Sequence, residues 1–152
     1  MKLLFALLIT VGLGAVIGLS TRSNISTWYT DLQKPVYFPT KKLIAPVWTI
    51  LYILMGIALY LIWDQNPSPQ RSIALTLFFI QLALNFFWSF LFFNFHLMGI
   101  ALLDILLLVI FIILCINSFS KMNETAAWLF IPYLAWVGFA SLLNFSIWRL
   151  NR

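Results

Sequence analysis

The chain has 152 residues, of which 63% are hydrophobic and only 9% charged, with a net charge of +5 and a mean hydropathy of +1.01. A soluble domain carries about 25% charged residues, so this composition excludes a water-facing surface and makes lipid the solvent. The basic residues are scattered through loops and termini, which excludes a nucleic-acid-binding surface, and a single Cys115 excludes an internal disulfide or a cysteine-based metal motif.

A spanning helix takes about 20 apolar residues. The chain therefore has room for five such helices. The expected fold is an all-α integral membrane protein, one domain over residues 1–152, built as a bundle of five transmembrane helices. The first covers about 3–20. Lys2 before it resembles the start of a signal peptide, but the apolar run exceeds the roughly 7–15 residues of such a core and no A-x-A site follows Ser20. A retained helix is expected. Gly14 and Gly18 stand one turn apart and permit close packing, more readily within the monomer than between copies.

Ser26 is positioned to cap a short surface helix reaching Gln33, which Lys34-Pro35 would end. The loop around it is unusual for its aromatic content. It carries Trp28, Tyr29, Tyr37 and Phe38, stiffened by Pro35, Pro39 and Pro46. Such a segment reads either as a lid over a cavity or as an anchor at headgroup level. The second helix is expected over 45–63, followed by the turn Asp64 to Pro69. The third covers 72–93, residues 94–96 make a tight connection, the fourth covers 97–117, and the fifth 125–148. Five spans put the termini on opposite faces. Lys2, Arg71 and Lys121 fall on one face; Arg22, Lys34, Lys41, Lys42, Arg149 and Arg152 fall on the other. The positive-inside rule places the richer face, with the first loop and the C-terminus, in the cytoplasm, most simply of a bacterial cell membrane.

Polar groups inside lipid are costly and each needs an account. Gln81, Asn85 and Trp88 share one face of the third helix. Trp48, Tyr52 and Met55 do so on the second, and Tyr133, Trp136, Ala140, Asn144 and Trp148 on the fifth. Asp104 is the only carboxylate within a span. At about 1.5 Å per residue, Asn144, Asn85, Asp104 and Trp136 lie roughly 6–18 Å in from the face that carries the first loop. The convergence describes a cavity below that loop, walled by indoles, phenols and amides, suited to a large, flat, mostly apolar ligand. The amides also read as interhelical glue, and Asp104 as structural or ligand-linked. Trp28, Trp63, Trp128 and Trp148 lie near helix ends and read as belt residues. Pro132 would bend the fifth helix beside Trp136. No Ser/His/Asp set, carboxylate pair or metal cluster is present, and His96 reads as an interfacial polar residue before it reads as an iron ligand.

Several motifs together resemble the TspO/MBR family of tryptophan-rich sensory proteins and translocator proteins, also called peripheral-type benzodiazepine receptors. They are Trp28-Tyr29-x-x-Leu32-x-Lys34-Pro35, Trp48-Thr49-x-Leu51-Tyr52-x-x-Met55-Gly56-x-Ala58-x-Tyr60, Gln81 to Phe93, Ala101 to Asp104, and Pro132 to Asn144. The resemblance implies a five-helix receptor or sensor, commonly a homodimer, that binds protoporphyrin IX or haem as ligand and requires no resident cofactor or metal. It implies ligand contacts at Tyr29, Trp48, Asn85, Trp88, Trp136 and Ala140, to which the cavity reading adds Tyr52, Asp104 and Asn144. Alternatives within the resemblance are light-dependent porphyrin degradation, with Trp48 and Trp136 as the catalytic indoles, and transport of porphyrin or lipid. The loop departs from the family's KPPWTPP, reading Lys34-Pro35-Val36-Tyr37-Phe38-Pro39-Thr40, and Phe145 stands where a sterol motif would need tyrosine.

Overall fold

The computed structural model describes residues 1–152. Its long elements are α1 (Lys2–Ser26), α3 (Lys41–Trp63), α4 (Pro69–Ser89) continued by a π-helical turn at Phe90–Asn94, α5 (Met98–Ser120) and α6 (Glu124–Asn151); α2 (Trp28–Asp31) is a single turn in the first loop. Five of these helices are long and apolar enough to span a membrane, and there are no strands.

The helices outrun the apolar segments that predict them, and the polar ends explain why. α1 continues through Ser20–Ser26 because hydroxyls supply local partners: Thr21 Oγ1 donates to the Ile17 carbonyl at 2.8 Å and Ser26 Oγ to that of Ser23 at 3.0 Å. Ser26 therefore ends α1 instead of capping a surface helix to Gln33, and the break falls at Thr27. α3 begins at Lys41, four residues before the expected start, and carries Pro46 within its early turns. Two starts use side-chain caps. Ser68 Oγ accepts from Arg71 N at 3.1 Å with Pro69 next to it, and Asn123 Oδ1 accepts from Ala126 N at 3.1 Å.

Around the bundle, α1 packs on α3, α3 on α6, α6 on α5 and α5 on α4, while α4 and its π turn close back on α1. Close approach of α1 and α3 depends on Gly56, where a Cβ would stand 2.7 Å from Thr10 Oγ1 and 3.1 Å from the Leu7 Cα. Thr10 Oγ1 fastens the same crossing by donating to the Tyr52 carbonyl at 2.7 Å. Fully buried Phe78, Phe119 and Phe130 pack the end of the bundle remote from the first loop, and Ile105 and Ile112 continue the core along α5. On the loop side a cavity remains.

Candidate functional site: a lidded aromatic cavity

Between α1, α3, α6 and the end of α4, under the first loop, lies a cavity of about 440 Å³. This falls within the roughly 300–1,000 Å³ of small-molecule sites. One wall is a run of rings. Trp48 stacks on Tyr52 with centroids 5.8 Å apart and on Trp88 at 6.3 Å, and Trp88 stacks on Phe92 at 5.7 Å, each pair inclined by 29°. Trp136 and Ala140 of α6 line the cavity together with Gly14 and Gly18 of α1. A Cβ on Gly14 would meet the Tyr52 ring at 2.5 Å, so glycine there makes the space in which that ring lies.

The loop covers the cavity. Tyr29, only 7% exposed, seats on Phe93 and Phe92 with centroids 5.2 and 5.9 Å away and on Phe38 at 6.0 Å. The π turn advances the chain so that Phe92 and Phe93 both reach this contact, a common use of π turns at functional positions. Beyond it His96 takes a left-handed conformation (φ 59°), which His adopts more readily than most side chains. Its ring stacks on Trp28 at 3.9 Å. Trp28 is thus part of the lid and not a free belt residue, whereas Trp128 is exposed as a belt residue would be.

Two contacts tie the lid to α6, and a third set braces the loop internally. Asn151 clamps the Gln33 backbone, accepting from its N–H at 2.9 Å and donating to its carbonyl at 2.9 Å. The Tyr37 and Ser146 hydroxyls share a hydrogen bond. Lys34 Nζ donates to the Tyr29 and Leu32 carbonyls at 2.7 and 3.2 Å and sits 4.7 Å over the Tyr29 ring. Burial, then the nearby Lys41 charge, push the Lys34 ammonium below the usual lysine range, with Asp31 opposing them. Burial pushes the Tyr29 hydroxyl up, so it stays protonated at any ordinary pH.

Of the residues singled out by sequence, Tyr29, Trp48, Tyr52, Trp88, Trp136, Ala140 and Asn144 line this one cavity. Asn85 and Asp104 do not. Asn85 lies one layer below, in a closed chain of hydrogen bonds. Its Oδ1 accepts from the Tyr52 hydroxyl at 2.6 Å and its Nδ2 donates to the Tyr133 hydroxyl at 2.9 Å, which in turn donates to Gln81 Oε1 at 2.8 Å. Asp104 sits on α5, which contributes nothing to the cavity, and its buried Oδ2 has no partner. Asn144 lines the cavity with both amide ends engaged, accepting from Trp88 Nε1 at 2.9 Å and donating to the Met98 carbonyl at 2.9 Å. Trp136 differs: its Nε1 is buried without a partner, and its ring also borders a lipid-facing groove between α3 and α6. Sequence reasoning missed Phe92 and Phe93, whose place depends on the π turn, and the Asn151 clamp. No cluster of His, Cys, Asp or Glu could hold a metal.

A sequence profile, that of the TspO/MBR family, matches residues 5–149. The chain belongs to the TspO/MBR family. It is 39% identical to the tryptophan-rich protein TspO of Archaeoglobus fulgidus over 151 residues, covering 99% of this chain and 97% of that one. It is 40% identical to the TspO of Chlorobaculum tepidum, over 99% and 98% of the two chains, and 38% identical to the translocator protein of Bos taurus, over 92% and 85%. The five spans, the long first loop and the family fit an integral membrane protein of the TspO type.

Proposed function

We propose that this TspO/MBR protein is a membrane receptor or sensor that binds a flat tetrapyrrole, such as protoporphyrin IX or haem, beneath its first loop. The observation that carries the reading is the run Tyr52–Trp48–Trp88–Phe92. Its inclined, neighbouring rings line a cavity that nothing in the chain fills. A planar conjugated ligand gains both apolar burial and ring stacking there, about 0.5–1.5 kcal/mol per aromatic pair beyond area burial. The lid end faces the cytoplasm in this reading, because it carries most of the basic residues.

The experiment is quenching of tryptophan fluorescence by protoporphyrin IX, in protein reconstituted into neutral-lipid nanodiscs. Saturable quenching is expected, weakened about fivefold or more in Trp136→Phe, which cuts back an indole lining the cavity, and in Ala140→Leu, which fills the cavity. Unchanged affinity in both variants would reject this cavity as the site. A second reading, light-dependent degradation of the bound porphyrin, is favoured by Trp48 and Trp136 lining the same space. It predicts a faster loss of the Soret band under illumination with protein than without.

A further inference from the structure

Charge is distributed unevenly between the two ends of the bundle. Arg22, Lys34, Lys41, Lys42, Arg149 and Arg152 stand at the loop end, and Asp31 is the only acidic side chain beside them. Asp64 and Glu124 belong to the opposite end, and Asp104 to the interior of α5. None of the loop-end cations makes an ion pair; the one ion pair of the chain joins Lys2 to Asp64.

The lid closes where three of these charges meet. The Asn151 clamp holds the Gln33 backbone through two hydrogen bonds of 2.9 Å. It thereby brings Lys34, the residue after Gln33, against the stretch that carries Arg149 and Arg152 on either side of Asn151. Lys41 already lies close enough to Lys34 to act on its charge. Like charges gathered at one joint repel, so the lid shuts against its own electrostatics. The chain supplies little to offset this. Lys34 Nζ reaches only backbone carbonyls, and the Arg149 and Arg152 guanidiniums lie over the Phe145 and Trp148 rings at 5.8 and 5.4 Å. Such contacts leave the positive charge in place.

The joint also lies at headgroup level. α1 and α6 end at this face and α3 begins there, and Trp148 is a ring of the kind that sits at the membrane interface. The anions at hand are the phosphates of acidic lipids, which attract basic segments at the membrane surface. We propose that the seam between the lid and the end of α6 is a docking surface for anionic phospholipid, whose headgroups neutralise the converging cations and hold the lid shut. In a zwitterionic membrane the closed lid bears its repulsion unrelieved; in an anionic one the same charges favour closure. The surface is separate from the cavity, and its role holds whatever ligand the cavity takes.

The test follows amide exchange at Gln33 in the full chain. The protein is reconstituted in nanodiscs of phosphatidylcholine alone, and of an equal mixture of phosphatidylcholine and phosphatidylglycerol. Rates are taken relative to the amide of Val36, fully exposed in the same loop, which corrects for surface pH. Anionic lipid should slow Gln33 exchange about fivefold or more, the worth of one basic residue beside an anionic surface, while the α5 core amides stay unchanged. Raising sodium chloride from about 0.1 to 1 M shortens the screening length from about 10 to 3 Å. It should slow Gln33 exchange in phosphatidylcholine, where it screens repulsion, and speed it in the mixture, where it screens attraction. Arg149→Gln should slow exchange in phosphatidylcholine and lose most of the response to phosphatidylglycerol. Lys121→Gln, at the opposite end, should change neither. Inorganic phosphate added to the phosphatidylcholine discs should do no more than sodium chloride at equal ionic strength. Exchange indifferent to lipid charge, or shifted by salt in the same direction in both membranes, would overturn the proposal. So would an intact lipid response in Arg149→Gln, or protection by inorganic phosphate equal to that by phosphatidylglycerol. The salt comparison uses the unaltered chain, so it decides the matter even if Arg149→Gln fails to fold.

Discussion

Asn151 is the side chain on which lid closure can be tested most directly. It lies at the last turn of α6, 118 residues from Gln33, and makes two hydrogen bonds to that residue's backbone, each 2.9 Å long. Its own position is fixed by a third bond, from Nδ2 to the Ile147 carbonyl at 2.7 Å. The Gln33 groups are exposed and return to water when the clamp is lost, so each bond counts near the low end of the usual 0.5–1.5 kcal/mol. Asn151→Ala should therefore favour lid opening by about 1–2 kcal/mol, or about 5–30-fold in the open population. Native-state hydrogen exchange reads this at the Gln33 amide and across the lid, with exchange faster by that factor while the α5 core amides stay unchanged. Asn151→Asp keeps the acceptor for Gln33 N–H and loses the donor, so it should fall between wild type and alanine. If Gln33 exchanges equally fast in all three proteins, the clamp does not hold the lid and closure rests on the Tyr29 ring contacts and the Tyr37–Ser146 bond.

Other perturbations separate the cavity from the scaffold beneath it. Gly14→Ala places a Cβ 2.5 Å from the Tyr52 ring. Overpacking of this kind costs about 1–3 kcal/mol, read as a lower unfolding midpoint in detergent, and the cost should largely vanish in a Tyr52→Ala background. Tyr133→Phe keeps the ring but removes the hydroxyl that joins Asn85 to Gln81. At about 0.6 kcal/mol per membrane hydrogen bond, and at most about 1.7, it should destabilise by about 1–3 kcal/mol. Ligand affinity should be unchanged, because Tyr133 does not reach the cavity; a parallel fall in affinity would show that the two layers are not separate.

The five spans were legible because length and hydropathy decide them, and the aromatic loop was legible as something other than a plain connector. Helix ends were less so. Ser20 to Ser26 look like loop residues by composition, yet their hydroxyls bond to the preceding turn and carry α1 to the lid. The depth of each polar residue could be counted along a helix, but its direction around the bundle could not. Asp104 and Asn85 were expected at cavity depth. α5 stands behind its neighbours and takes no part in the wall, and Asn85 faces Tyr52 and Tyr133 instead of open space. The π turn has no sequence signature of its own, so the joint reach of Phe92 and Phe93 to Tyr29 was invisible before the fold.

The amides divide by what they already hold, and this bears on how Asn144 acts. Both ends of its side chain are engaged, so it has little left to offer a ligand, yet it lines the cavity. Its acceptor fixes the Trp88 indole, and that indole is the middle of the aromatic wall. Asn144 is thus a positioning residue working through Trp88. Asn144→Ala should weaken protoporphyrin IX binding in an otherwise wild-type chain, because Trp88 loses its tether and its N–H is left buried and unpaired. In a Trp88→Phe background there is no N–H to tether, and the same substitution should do almost nothing. The coupling between the two sites should be about 0.6–1.7 kcal/mol, the size of one membrane hydrogen bond. Strictly additive losses would mean that Asn144 meets the ligand itself, with its bond to Trp88 incidental.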